Sequence, residues 1–140
     1  MNTYLLDTHI LIWLMEEDNS LNKNIREDIE YFQHSYYISV ESLREIVILQ
    51  SRNKIKLDYN LDEIITFLNK TQIRILSTDL NSIKELEKLP ILEIHGKTHE
   101  DPFDRMLIAQ SIAEKYTIIS SDKKFPYYNK CGLKLLTNEI

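Results

Sequence analysis

Short apolar runs that stop at polar residues alternate along this chain with stretches of helical period, and that alternation limits the fold more than any other feature. Tyr4-Leu5-Leu6 ends at Asp7, and Thr8 is placed to cap a helix carried by Ile10, Leu11, Leu14 and Met15. Residues 21 to about 34 read as a charged helix, and Tyr36-Tyr37-Ile38 reads as a strand because aromatic and β-branched residues gather there. Ser39 can cap the next helix, in which Leu43, Ile46 and Val47 keep helical spacing until the Ser51-Arg52-Asn53-Lys54 break. A helix over 61–68, a strand over 73–76 and a helix over 80–89 follow; 90–100 reads as irregular. Asp101 as cap with Pro102 at the first position then opens a helix through Phe103, Leu107, Ala109, Ile112 and Ala113. Thr117-Ile118-Ile119, ending at Ser120-Ser121-Asp122, and residues 133–136 supply the last strands. Strands this short and apolar, separated by helices, predict an α/β fold with a mostly parallel sheet covered on both faces.

A chain of 140 residues with no repeat and no linker rich in Pro, Gly or Ser is expected to form one domain over 1–140. Two glycines, Gly96 and Gly132, exclude a GxxxxGK[ST] phosphate loop and a GxGxxG dinucleotide turn. The lone Cys131 cannot form an internal disulfide and argues for a reducing compartment and against a cysteine zinc site. The apolar stretch over 4–15 contains Asp7 and His9 and falls short of about 20 residues, so it reads as neither signal peptide nor membrane span. A net charge of −5 argues against a surface that binds nucleic acid mainly by neutralising phosphates.

In open α/β sheets ligands bind beyond the carboxyl ends of the strands, so polar residues that directly follow strands mark the place for chemistry. Asp7 and Asp122 are such residues; Asp101 and Asp104 open a helix at the same edge, and Glu41 and Glu45 lie in the first turns of another. Like charges gathered there repel unless a cation sits among them, and oxygen-only donors favour Mg²⁺ or Mn²⁺ over zinc. Several of these acids also have ordinary roles. Asp101 can cap its helix while Asp104 favours the positive helix end, Glu41 can pair with Arg44, and Asp122 before Lys123 and Lys124 can be a solvated turn. None of the four histidines stands at a metal-ligand spacing such as HExxH. Lys54, Lys56, Lys123, Lys124 and Lys130 can guide a phosphate backbone or simply solvate loops.

Taken together, Asp7-Thr8-His9 after a strand, Ser39-x-x-Ser42-Leu43-x-Glu45-Ile46, Asp101-Pro102-Phe103-Asp104-Arg105 leading into Leu107-Ile108-Ala109-Gln110, and Ser120-x-Asp122 resemble the PIN domain, specifically VapC-like toxins of bacterial toxin–antitoxin pairs. Trp13 stands where such toxins often carry an aromatic, and Arg44 stands where a bulky aromatic is common. The resemblance implies a three-layer α/β/α fold and a Mg²⁺- or Mn²⁺-dependent endoribonuclease that inhibits translation or growth. The implied metal ligands and catalytic residues are Asp7, Glu45, Asp104 and Asp122, with Thr8 and Ser120 orienting carboxylates or holding a water and Arg105 as a phosphate or carboxylate partner. It further implies an RNA substrate, an antitoxin in the acidic cleft, a homodimer, a cytoplasmic location and no membrane.

An aspartyl-phosphate phosphatase would also place an aspartate after the first strand, but it needs a second acid where His9 stands. A PIN nuclease of RNA processing and a catalytically silent PIN scaffold that binds a protein would share the pattern; the retained acids argue against the scaffold. If part of the negative charge is a ligand set, the −5 balance weighs less against nucleic acid.

Overall fold

Successive residues of a strand face opposite sides of a sheet, and Leu5 and Leu6 show how this chain uses that rule. In the computed structural model, which describes residues 2–139, Leu5 packs with Ile118, Leu107, Phe125 and Tyr128 on one face. Leu6 packs with Ile119, Ile38, Ile10 and Ile46 on the other. The two ends of the expected 1–140 domain, Met1 and Ile140, lie outside the described residues. Each fully buried leucine or isoleucine here contributes about 1.5–3 kcal/mol of transfer free energy.

The order is β1 (Thr3–Leu6), α1 (Thr8–Glu16), α2 (Lys23–Glu30), β2 (Ser35–Ser39), α3 (Val40–Ser51), α4 (Leu61–Lys70), β3 (Ile73–Leu76), α5 (Leu80–Lys88), β4 (Glu93–Ile94), β5 (Lys97–Thr98), α6 (Pro102–Glu114), β6 (Thr117–Ser120), a 3-10 helix (Phe125–Cys131) and β7 (Lys134–Thr137). Five strands form one sheet in the order β3-β2-β1-β6-β7, and every pairing within it is parallel. Helices α1 to α4 supply the cluster on one face; α6 and the 3-10 helix supply the other, with α5 packed on α6. This is the expected α/β/α architecture. The chain runs outward from β1 through β2 to β3, then returns to β6 on the other side of β1, so strand order reverses between β1 and β6. A crevice opens at such a reversal, beyond the carboxyl ends of the strands.

Four local expectations are corrected. Asp7, not Thr8, caps α1, because its carboxylate accepts the Thr8 backbone N–H. The helix expected over 21–34 is only Lys23–Glu30: Asn22 caps it, and the chain leaves helical geometry at Tyr31 before Phe32 takes a left-handed φ of 56°. The segment 90–100 holds the antiparallel β4–β5 hairpin, two residues per strand and too short to show a period. The 3-10 helix buries Phe125 and Tyr128 in a stretch that reads as loop, since its turn of about three residues leaves neither α nor β spacing. No helix among the described residues is long and apolar enough to cross a membrane.

Candidate functional site

Asp7 extends the pairing of β1 with β6 by donating its backbone N–H to the carbonyl of Ile119 at 3.0 Å. That bond fixes its side chain at the strand reversal. Oδ1 accepts the Thr8 N–H at 2.7 Å and Oδ2 accepts the Ser120 hydroxyl at 2.6 Å, which leaves the carboxylate only 7% exposed. The Ser120 oxygen in turn accepts the backbone N–H of Asp122 at 3.0 Å, tying the two strand-end aspartates through one hydroxyl. Asp122 Oδ1 also accepts the Lys124 N–H, so this residue shapes the turn as well as facing the cleft.

Glu45 comes from the second turn of α3. Its Oε1 accepts the Thr8 hydroxyl at 2.7 Å, and the Ser42 hydroxyl lies 2.9 Å from the same Thr8 oxygen. A hydroxyl has one proton, so Thr8 donates it to the carboxylate and leaves its lone pairs to Ser42. Thr8 is thus a bridge from α1 to α3. Asp104 sits in the first turn of α6, behind the cap made by Asp101, whose Oδ1 accepts the N–H groups of Phe103 and Asp104. Asp104 Oδ2 lies 3.1 Å from His99 Nε2.

These acids share one cleft of about 470 Å³, lined by Asp7, Glu45, Asp104 and Asp122 together with Asp101, His9, Trp13 and Ser121. Burial is the main force on the protons of Asp104, Asp7 and Glu45. It pushes the Asp104 carboxyl up to about 8, with further push from the charges of Asp101, Asp7, Asp122 and Glu45. Burial likewise raises Asp7, against the pull of the Ser120 hydrogen bond, and raises Glu45, against that of Thr8. An all-oxygen donor set under mutual repulsion suits a hard divalent cation. Among the described residues no three His, Cys, Asp or Glu side chains are drawn together tightly enough to hold an ion by themselves.

Arg105 requires correction. Its guanidinium donates to the carbonyls of Leu89 and Pro90, both at 3.0 Å, and it does not line the cleft. Successive helical residues point about 100° apart, so the neighbour of Asp104 turns away from it. Glu41 accepts from Arg44, the ordinary surface pair its spacing allows, and from Thr78. Arg44 also stacks its guanidinium 4.7 Å from the Phe103 ring centre. Asp101, which the sequence places at this edge, lines the cleft besides capping α6. Two contributions escaped sequence reasoning: His9 and Trp13 form one wall with ring centres 5.9 Å apart, and His99 contacts Asp104. His9 and Trp13 follow Asp7 by two and six residues, which is a usable signal; the approach of His99 to Asp104 has none.

Two solved structures share this fold. One is a chain of VapBC2 from Rickettsia felis bound to a DNA fragment from their promoter: 20% identity, 98% of this chain and 99% of that chain covered, TM-score 0.74. The other is a chain of DNA-bound VapBC from Salmonella typhimurium: 14% identity, 98% of each chain covered, TM-score 0.68. No curated protein matches. The sequence model of the PIN domain matches residues 4–130, which contain every acid of the cleft, and with that match the chain belongs to the PIN-domain family, a family of nucleases.

Proposed function

We propose that this protein is a metal-dependent endoribonuclease and the toxin of a toxin–antitoxin pair. The observation that carries the reading is the pile-up of carboxylates in the cleft at the strand reversal, with Asp104 pushed up to about 8. A protein without a cation to place there gains nothing from burying acids against one another. Asp7, Glu45, Asp104 and Asp122 would hold the ion, directly or through its waters. When bound, Mg²⁺ or Mn²⁺ supplies an acidified water and offsets charge on the scissile phosphate.

The chain's own groups do the positioning. Ser120 holds one oxygen of Asp7 and the backbone of Asp122, so both aspartates move as a unit. Thr8 holds Glu45 through the hydroxyl that Ser42 supports. His9 and Trp13 give the cleft wall an aromatic surface on which an unpaired base can stack, which favours a flexible RNA strand over a duplex. Both structural neighbours are VapBC complexes, and this supports an antitoxin as partner. A second copy of the chain and a reducing cytoplasm, the latter in keeping with a single cysteine, complete the proposal.

Incubating the purified chain with structured RNAs and Mg²⁺ or Mn²⁺ tests it. Cleavage is expected with metal and is expected to vanish with a chelator and in Asp7→Ala and Glu45→Ala. Cleavage indifferent to chelation and to both substitutions overturns the mechanism. Growth arrest on expression, relieved by a neighbouring small open reading frame, separates a toxin from a nuclease of RNA processing.

A further inference from the structure

Behind Asp104 stands a buried polar chain that the cleft itself does not require. His99 is 5% exposed and Tyr128 is fully buried, yet the His99 Nδ1 and the Tyr128 hydroxyl lie 2.7 Å apart, and His99 Nε2 lies 3.1 Å from Asp104 Oδ2. We propose that His99 is a positioning residue for Asp104, fixing that carboxylate toward the cleft while Tyr128 fixes the imidazole.

The proposal rests on the metal-nuclease reading and adds the support on which one of its ligands depends. Direction follows from donor counting. With a cation in the cleft Asp104 would be ionised and could only accept, so Nε2 would carry the proton and Nδ1 would accept from the Tyr128 hydroxyl. The backbone is anchored as well. The His99 N–H donates to the Leu92 carbonyl at 2.8 Å, and Arg105 grips the carbonyls of Leu89 and Pro90, so the strap carrying His99 is tied to the helix carrying Asp104. Asp7 and Glu45 receive hydroxyl donors from Ser120 and Thr8; Asp104 receives an imidazole in their place. Partners that orient metal-ligating carboxylates typically change metal affinity about 10–100-fold when removed.

The test is Mn²⁺ binding by calorimetry on the full chain without RNA, alongside thermal melting. His99→Leu should fold yet bind Mn²⁺ at least about tenfold more weakly, whereas His99→Gln, whose amide can reach the Nε2 position, should stay within about threefold of the parent. Nitrogen-15 spectra of the Mg²⁺-saturated protein should show a neutral His99 ring protonated at Nε2. Unchanged affinity in His99→Leu, a His99→Gln variant as weak as His99→Leu, or a ring protonated at Nδ1 overturns the role. Should His99→Leu fail to fold, Tyr128→Phe decides: it removes one hydroxyl and should weaken Mn²⁺ binding several-fold and mix the two ring tautomers, and no change in either overturns the proposal. A parent protein that binds no Mn²⁺ overturns the metal reading itself, a result distinct from parent-like binding by the variants.

Discussion

The two ends of the parallel sheet carry opposite chemistry. Beyond the carboxyl ends of β1 and β6 lies the acidic cleft of about 470 Å³; at the opposite ends of β2 and β3 lies a larger pocket of about 540 Å³ that no carboxylate lines. Arg74, His34, Tyr36 and Gln72 are among its walls. Size and charge therefore point to different ends. Five acids share the cleft and burial raises three of them, the perturbation on which the proposed function rests.

The largest expected contrast between the ends is catalytic. Asp7→Ala should lower metal-dependent RNA cleavage by roughly a thousandfold or more, while Arg74→Ala should leave it within about twofold, both read from initial rates on one RNA. Equal losses from both would dissolve the distinction. Next comes the response to pH. Because Asp104, Asp7 and Glu45 are held above their unfolded values, the native chain keeps protons that the unfolded chain has released. Metal-free stability should therefore fall as pH rises from about 4 toward about 8, as scanning calorimetry would show. In the same assay at pH 8, Asp104→Asn should melt higher than the parent by roughly 3–8 °C, because removing a buried charge relieves its desolvation and, secondarily, its repulsion by about 1–2 kcal/mol. Added Mn²⁺ should stabilise the parent by about 2.7 kcal/mol at a hundred times its dissociation constant, and at one fixed Mn²⁺ concentration the gain should be larger at pH 8 than at pH 5, where protons compete. The smallest effect is expected at the far end, where Arg74→Ala should change stability by less than about 0.5 kcal/mol.

What could be read in advance follows from how far each signal extends along the chain. Tyr4-Leu5-Leu6 stopping at Asp7, or Ile73 to Leu76, announce themselves because a strand's period is local. The same holds for Asp101 and Pro102 at the start of α6. Phe125 and Tyr128 were opaque, since only the folded chain shows that a 3-10 turn drops both rings into the core. His99 was opaque for the same reason: the Tyr128 hydroxyl that holds it comes from 29 residues further on. Arg105, which the resemblance offered as a phosphate or carboxylate partner, instead holds the Leu89 and Pro90 carbonyls, because the residue after Asp104 in a helix points away from it.

The bond from Ser120 to Asp7 spans 113 residues, and Asp122 arrives two residues later still. A ribosome making this chain from its N-terminus releases β1 and its aspartate early, but the strand that seats them comes in the last quarter. Pairing between such distant segments is slow to form and cannot begin before both exist. The acidic cleft is thus assembled last, and an interrupted translation product lacking β6 lacks the strand that seats Asp7 and leads to Asp122.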